Sequence, residues 1–320
     1  MKILIASSIA QSALDELATA HDLVYAVGAS EADLAQAITG CDALVFRSGV
    51  DITATVLDHA GSLRLIVRAG SGYDNIDLDR LAEMRLRFVR IPGPGAKAVA
   101  ELAFALMLGL ARQVRWADRE WRAGRWVKSQ AQGRLLTGRS LGIVGAGNIG
   151  SRTGALGAAW GMSVTGCVEL PAPSIEEALS RRGIRLAGFD QVMSESDFVS
   201  IHVPLQDSTR NLIDARVIGS MRPGSILVNL SRGGVVDELA LRDALLSGHI
   251  AGAGLDVHSA EGNGRISPLA DLENVVLTPH IGASTSDSQE EIGRMIVKCL
   301  ADPPSDDDLR AGTPDNFTVI

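Results

Sequence analysis

Only three cysteines occur, Cys41, Cys167 and Cys299, and no two of them stand at metal-ligand spacing. A zinc ribbon and a disulfide framework are thereby excluded, no metal site is expected, and free thiols fit a reducing, cytoplasmic setting. Positive charge is in deficit as well: 30 Lys and Arg against 38 Asp and Glu leave a net charge of −8. A chain of that sign has no general attraction for nucleic acid or an anionic membrane, although local basic pockets for small anions stay open. No uninterrupted apolar run reaches the roughly 18 residues that a membrane span needs. The nearest approach, residues 102–111, is bracketed by Glu101 and Arg112 and reads as a buried helix. The apolar start, "KILIA", is too short for a signal peptide. Short-period repeats and low-complexity blocks are missing too.

What is present is an alternation. At 320 residues the chain is long for one core, so two domains are expected. "KILIA", "DLVYA", "DALVF" and "LRLIV" read as strands separated by helical stretches, the pattern of an α/β domain with a largely parallel sheet. At "IPGPGAKAVAE" two prolines and two glycines mark a connection, and a long apolar helix then runs through "ELAFALMLGLARQVRWADREW". A second series follows, with strands at "LGIVG", "MSVTGCV", "IRLA", "DFVSIHV", "SILVNL", "AGAGLDV" and "NVVLTP". Interleaved with helices, these make a complete doubly wound sheet. "STSDSQEEIGRMIVKCL" reads as one helix before an acidic, proline-containing tail.

Gly145-Ala146-Gly147-Asn148-Ile149-Gly150 fits G-x-G-x-x-G. With 34 glycines a chance match is easy, but this one follows an apolar strand and opens a helix. Gly145 permits the tight turn, Gly147 lets backbone approach a pyrophosphate, and Gly150 allows close helix-on-strand packing. The helix amino terminus then offers unpaired amides and partial positive charge to phosphates. A carboxylate for the adenosine ribose belongs about twenty residues further on. Glu169, nineteen residues after Gly150, meets that spacing.

Ligands of open α/β sheets sit at the carboxyl ends of the strands. Three such ends run into Arg232, Glu261 and His280. Singly, each has an ordinary explanation: a solvated loop arginine, a carboxylate in a glycine-rich turn, a structural histidine behind a proline. Behind a dinucleotide turn the set makes chemical sense. Hydride transfer between nicotinamide and a carbonyl needs a proton donor of near-neutral pKa, which histidine is. A nearby carboxylate favours imidazolium, and a planar arginine grips a substrate carboxylate bidentately.

These residues, with "RAGSGYDNIDLD", "AVAELAFALML", "HVPL", "VNLSRGGVVDE" and "TPHIGAST", identify the chain as similar to the D-isomer-specific 2-hydroxyacid dehydrogenases. It most resembles the short, D-3-phosphoglycerate-dehydrogenase-like branch. The resemblance implies two doubly wound, Rossmann-like or flavodoxin-like, parallel-sheet domains with an active-site cleft between them. Residues 1–95 plus 287–320 would be the substrate domain and 96–286 the NAD-binding domain. Arg232 takes the substrate-binding role, His280 that of acid–base catalyst, and Glu261 that of its carboxylate. Backbone amides around Ala69, Gly70, Ser71 and Gly72 would meet the substrate carboxylate. Ser71, Leu230, Ser231, Arg232, Asp256, His280, Gly282 and Ala283 would line the nicotinamide end, and Val203 the adenosine side. Arg47, in "FRSG", matches an arginine that faces a second anionic group in phosphoglycerate-type members; a surface arginine is the other reading. Family members are commonly homodimers through the cofactor domain, and Trp116, Trp121 and Trp126 suit an interface or a core.

Four departures accompany the resemblance. The aspartate usual for the ribose aligns with Val168, leaving Glu169 one residue late; Gly95 stands where asparagine is frequent. "GNG" replaces the proline after Glu261, which implies a more mobile loop. The sequence also ends without the regulatory domains of longer phosphoglycerate dehydrogenases, so control by serine is not expected. Ser71 occupies the position of the lysine in the phosphite-oxidising branch. The expected function is hydride transfer between NAD(H) and a small, anionic D-2-hydroxy acid and its 2-keto acid. Alternatives are an NADPH-preferring glyoxylate or hydroxypyruvate reductase and an NAD-sensing, corepressor-like binding protein.

Overall fold

The computed structural model describes residues 1–303 and a terminal strand at 318–319; most of the acidic tail lies outside the described residues. The chain divides into two compact units, Met1–Ala98 with Ala283–Ile320, and Val99–Gly282.

In the first unit β1 (Lys2–Ile5), β2 (Asp22–Tyr25), β3 (Ala43–Phe46), β4 (Leu65–Arg68) and β5 (Arg87–Arg90) form a parallel sheet in the order β2-β1-β3-β4-β5. That is the flavodoxin-like order. Its helices are α1 (Gln11–Ala18), α2 (Glu31–Ala37), α3 (Ala54–Asp58) and α4 (Leu78–Glu83). The side chains of Ser30, Thr53 and Asp77 accept the N–H groups of Asp33, Val56 and Arg80, which starts α2, α3 and α4 at those residues. Alternate residues of each strand serve opposite faces. Leu44, Phe46, Ile66 and Phe88 pack on Leu34, Val56 and Leu81 of the three short helices. Ile3, Val45, Val67 and Val89 face the other way, onto Leu17 of α1 and onto Ile292, Ile296 and Leu300.

The connection expected at "IPGPG" is already helical. α5 (Gly93–Ala111) begins ahead of Pro94, which stands in its first turn, where a missing N–H costs nothing. The helix also ends earlier than the apolar pattern predicts. Gln113 adopts a left-handed conformation (φ 53°), and α6 (Val114–Arg122) starts afresh behind it. With its upstream turn included, α5 is 19 residues long with a mean hydropathy of 1.4, long and apolar enough to cross a membrane. Just over half of it, 56%, is buried inside the protein.

The second unit contains α7 (Asn148–Ala159), α8 (Pro173–Ser180), α9 (Phe189–Glu195), α10 (Ala215–Ser220) and α11 (Glu238–Leu246). Its seven strands are the seven expected: β6 (Ser140–Val144), β7 (Ser163–Cys167), β8 (Ile184–Leu186), β9 (Phe198–Ile201), β10 (Ser225–Asn229), β11 (Ile250–Leu255) and β12 (Val275–Leu277). All pair in parallel, in the order β8-β7-β6-β9-β10-β11-β12. The order reverses between β6 and β9, which opens a crevice at their carboxyl ends. Val199, Ile201 and Leu227 pack on Val192, Met193, Val217, Ile218 and Leu241 of α9–α11. On the other face Leu106 and Leu110 of α5 lie against Gly254 and Gly252. α12 (Ser286–Ala301) follows and packs beside α1, and β13 (Thr318–Val319) pairs antiparallel with β5.

Candidate active site

The glycine turn connects β6 to α7. Gly145 (φ 88°) donates to the Cys167 carbonyl at 3.1 Å and Ala146 donates to it at 2.9 Å. A Cβ on Gly145 would strike the His202 carbonyl and the Val203 side chain at 2.8 Å. One on Gly150 would strike the Gly145 carbonyl, so both positions are closed to any side chain. At Gly147 the same test meets nothing within 4 Å. Gly147 is also the N-cap of α7, and no side chain caps that helix. Open space, uncapped first-turn amides at Asn148, Ile149 and Gly150, and the helix dipole are what a pyrophosphate requires. His202, beneath the turn, is half-buried; desolvation of its ring pushes its pKa down to about 3, and its Nε2 meets Ser200 Oγ at 2.8 Å.

At the end of β7, Val168 is half-buried, whereas Glu169 is exposed and bonds to none of the described residues. Tertiary structure brings in a cation the local sequence did not reveal: Arg182 Nη1 donates to Ser151 Oγ in the first turns of α7 at 2.8 Å. Arg181 instead pairs with Glu177 on the surface.

Arg232, Glu261 and His280 follow β10, β11 and β12, three neighbouring parallel strands, so their loops share one edge of the sheet. A buried polar side chain shapes each loop. Asn229, at the end of β10, accepts Ser231 N–H and Oγ–H at 3.0 and 2.7 Å and donates to the Arg232 carbonyl at 3.0 Å. Arg232 Nη1 donates to the Ser231 carbonyl. Ser231 and Leu230 are buried.

Asp256 does the same for the loop after β12. Its side chain is 1% exposed, and its two oxygens receive Thr278 Oγ1–H at 2.6 Å, Ile281 N–H at 2.9 Å and Gly282 N–H at 2.8 Å. Its backbone carbonyl takes His280 N–H at 2.8 Å. Four bonds from one residue thus hold His280 in a left-handed conformation (φ 55°) that non-glycine residues adopt at a cost of about 1–2 kcal/mol. Expected at the nicotinamide end, Asp256 spends its carboxylate on this loop.

His280 Nδ1 lies 2.9 Å from Glu261 Oε2, and Glu261 Oε1 accepts the His258 N–H at 3.1 Å. Partial burial raises the Glu261 pKa, but the His280 hydrogen bond and charge and the His258 N–H outweigh it and leave the carboxyl below its usual range. A carboxylate only accepts, so Nδ1 carries the proton and Nε2 is the ring atom left for exchange. The "GNG" turn takes positive φ at both glycines, yet the carboxylate before it is tied at both oxygens. Buried Glu238 secures the same loop by accepting Ser259 N–H and Oγ–H at 2.6 and 2.7 Å. His258 bonds through Nε2 to the Thr278 carbonyl at 2.9 Å, clasping the glutamate loop to the histidine loop. Asn229, Glu238 and His258 were not singled out from sequence; a polar residue closing an apolar strand, as in "ILVN", is the signal that marks the first.

In the first unit the loop after β4 carries Ala69–Gly72. Two of its four amides are already committed: Ala69 N–H to the Phe46 carbonyl and Gly70 N–H to the Arg68 carbonyl, both at 2.9 Å. Of the expected amides around Ala69–Gly72, those of Ser71 and Gly72 remain without a partner among the described residues: Ala69 extends the pairing of β4 with β3, and Gly70 closes a tight turn onto Arg68. Gly70 has no room for a Cβ, since the Arg68 guanidinium fills that space. Asn75 accepts Arg68 Nε–H at 3.4 Å and donates to the Arg47 and Val50 carbonyls. Arg47 is half-buried: burial pushes its pKa down, Nη1 donates to Gln289 at 2.9 Å, and Nε is buried with no partner among the described residues. Gly95 departs from the frequent asparagine for a steric reason, as a Cβ there would lie 3.1 Å from that of Ala283. Among the described residues no group of three or more His, Cys, Asp or Glu is placed to hold a metal ion.

Residues 104–282 match the family model described as "D-isomer specific 2-hydroxyacid dehydrogenase, NAD binding domain". The chain is 39% identical over 298 residues to D-3-phosphoglycerate dehydrogenase of Mycobacterium leprae, covering 93% of this chain but only 56% of that relative. It is 38% identical over 268 residues to hydroxypyruvate reductase of Thermotoga maritima, covering 83% of this chain and 86% of the relative. Among solved structures, D-lactate dehydrogenase of Aquifex aeolicus complexed with NAD and lactic acid superposes with a TM-score of 0.79 at 28% identity, covering 94% of each chain.

Asp256→Asn should cost about 2–4 kcal/mol in urea denaturation, because an amide NH₂ would confront a backbone N–H in a buried site. An unchanged midpoint would mean that the carboxylate does not hold the loop. Glu261 gives a pH test. A depressed folded-state pKa stabilises the fold above the ordinary value of 4.5 and ceases to do so as pH falls through the folded value. The Tm gap between wild type and Glu261→Gln should open above about pH 4.5 and close below it. It should stay small, since the Glu261 side chain is 40% exposed. A gap that widens towards acid would refute the pairing.

Proposed function

We propose a function from one premise: the chain belongs to the D-isomer specific 2-hydroxyacid dehydrogenase family. It acts as an NAD-dependent dehydrogenase on a small, anionic D-2-hydroxy acid and the corresponding 2-keto acid. The observation that carries this is the His280–Glu261 pair at 2.9 Å, one strand end away from Arg232 and in the same sheet as an uncapped dinucleotide turn.

Gly145, Gly147 and Gly150, with the amides of Asn148 and Ile149, would hold the pyrophosphate. Glu169 would face the ribose, Val203 the adenosine side, and Leu230–Arg232 with Gly282 and Ala283 the nicotinamide side. Bound there, NAD(H) supplies the hydride chemistry. His280 gives its Nε2 proton to the keto oxygen as that oxygen gains charge, and takes it back in oxidation. Glu261 keeps the other ring proton on Nδ1 and so fixes which nitrogen exchanges. Arg232 supplies a planar fork for the carboxylate, which a lysine cannot imitate. Ser71 and Gly72 offer the carboxylate two amides, and Arg47 gives a second anionic group a cation. A phosphate, sulfonate or second carboxylate fits that description, in line with the names of the relatives.

Preference for NADPH is the second reading, and one observation favours it: Arg182 reaches the amino end of α7 while Glu169 stays unengaged. Three buried, free thiols support a cytoplasmic protein. A second copy of the chain is the proposed partner. Val114, Trp121, Trp126 and Leu135 are 55–71% exposed around a half-buried apolar helix, and the rings of Trp121 and Trp126 stack edge-on at 5.1 Å. A separate groove of about 330 Å³, lined by Leu110, Trp116, Arg134, Ile226 and Val276, lies between α5 and the amino ends of β10–β12, away from the proposed catalytic edge.

Following NADH and NADPH absorbance across a panel of 2-keto acids tests the reading. Oxidation of NADH in preference to NADPH is expected with a keto acid bearing a second anionic or polar group. His280→Ala should lower kcat about 10²–10⁴-fold with NADH affinity retained, and near-wild-type turnover would remove histidine from the mechanism. Light scattering should give twice the chain mass for the wild type and the monomer mass for a Trp121→Glu/Trp126→Glu variant. A monomeric wild type would discard the interface.

A further inference from the structure

Arg90 ends β5, in register with Arg68 on the neighbouring strand. No charge partner among the described residues explains it. Its Nη1 donates to the Ser71 carbonyl at 2.8 Å, its guanidinium lies 4.8 Å from the Tyr73 ring centre, and its Nε is buried with no partner. Among the described residues it forms no ion pair, and desolvation pulls its pKa down. Retaining a half-buried cation on neutral acceptors alone is costly unless the charge serves a ligand.

The geometry of one peptide group shows how. In a trans peptide the carbonyl and the following N–H point in opposite directions, and the chain has no cis bonds among its described residues. Holding the Ser71 carbonyl therefore aims the Gly72 N–H away from Arg90. That N–H is one of only two in the loop that remain uncommitted. Ser71 is tied a second time by its Oγ, which donates to the Pro92 carbonyl at 3.3 Å, two residues beyond Arg90. The end of β5 and the residues just beyond it thus hold Ser71 at two points, its carbonyl and its hydroxyl, and the grip on the carbonyl carries a full positive charge. We infer that Arg90 is a positioning residue for the substrate carboxylate, acting through the Gly72 amide that it aims and polarises. The inference rests on the proposed reading of this loop as the carboxylate receptor.

A carboxylate carries the same charge in substrate and transition state, so its receptor governs binding more than turnover. The test compares wild type, Arg90→Gln and Arg90→Lys on the best keto acid of the panel, with binding of oxamate, a non-reacting analogue, measured in the presence of NADH. Arg90→Gln should raise KM and the oxamate Kd about 10–100-fold while kcat stays within about 3-fold and the NADH Kd does not move. Arg90→Lys, which keeps a charged donor, should recover most of the loss. Wild-type KM and oxamate affinity in Arg90→Gln would overturn the inference while leaving the functional reading intact. A joint fall of Tm, kcat and NADH affinity that lysine does not rescue would also overturn it, by showing a purely structural residue. A loss confined to doubly charged acids would replace positioning by direct contact. A wild type that reduces no 2-keto acid and binds no oxamate would bring down the functional reading and this inference together.

Discussion

The carboxylate of Asp256 is the constraint on which the proposed catalytic edge depends. It sits one residue beyond β11 and reaches across to the loop after β12, collecting three donors while its own carbonyl takes a fourth. Without it nothing compels His280 into a left-handed backbone, and the imidazole would not meet Glu261. The arrangement is economical because β10, β11 and β12 are adjacent and parallel: a side chain at one strand end lies within reach of the next loop. Asn229 and Glu238 repeat the device on either side. The side chains proposed to be catalytic are half exposed; the residues that aim them are buried.

The two units solve the problem of loop order with opposite charges. In the second unit, buried acceptors collect backbone N–H groups and fold loops inward around carboxylates. In the first unit, guanidiniums occupy that place: Arg68 fills the space above Gly70, Arg90 holds the Ser71 carbonyl, and Arg47 rests on Gln289. A chain of net charge −8 therefore concentrates positive charge where the carboxyl ends of β3, β4 and β5 meet solvent. Arg47 and Arg90, desolvated and held by neutral acceptors, attract anions more strongly than surface lysines would, because less solvent screens them.

Much of this was legible in the sequence for reasons that can be named. Fully buried parallel strands are continuous apolar runs, so "LGIV" and "SILVN" announce themselves, and the glycine turn needs only its flanking strand and helix to be read. β5 escaped because "RFVR" places arginines at both ends of a four-residue strand, and its two central residues alone are apolar and buried. The end of α5 escaped because Gln113 adopts a left-handed turn without glycine or asparagine to mark it. In the site, residue types and spacing pointed to Arg232, Glu261 and His280, since reaction chemistry restricts them. Hydrogen-bond commitments were not legible: the Ala69 amide is spent where β4 pairs with β3, and the Gly70 amide in a tight turn onto Arg68. The reach of Arg182 to α7 was equally hidden, being set by how the segment after α8 folds back onto α7.

Glu169 brings these strands of argument together. An aspartate at the strand end can hold a ribose through two short hydrogen bonds, and it excludes a 2′-phosphate sterically and by charge. Val168 occupies that strand-end position and can do neither, while Glu169 stands one residue further out, exposed and without a partner among the described residues. A carboxylate so placed still repels a phosphate, but through solvent and over a longer distance. Arg182, tied only to the neutral Ser151 hydroxyl, acts in the opposite sense from the α7 side. On the proposed reading, selection of NAD over NADP is then a difference between two opposed, long-range charge terms, not a short-range hydrogen-bond match. Such terms are screened within a Debye length of about 8 Å at physiological salt. Binding of the pyrophosphate by backbone amides, which is common to both cofactors, is left as the dominant contribution, and the ribose end contributes less discrimination than an aspartate at position 168 would give.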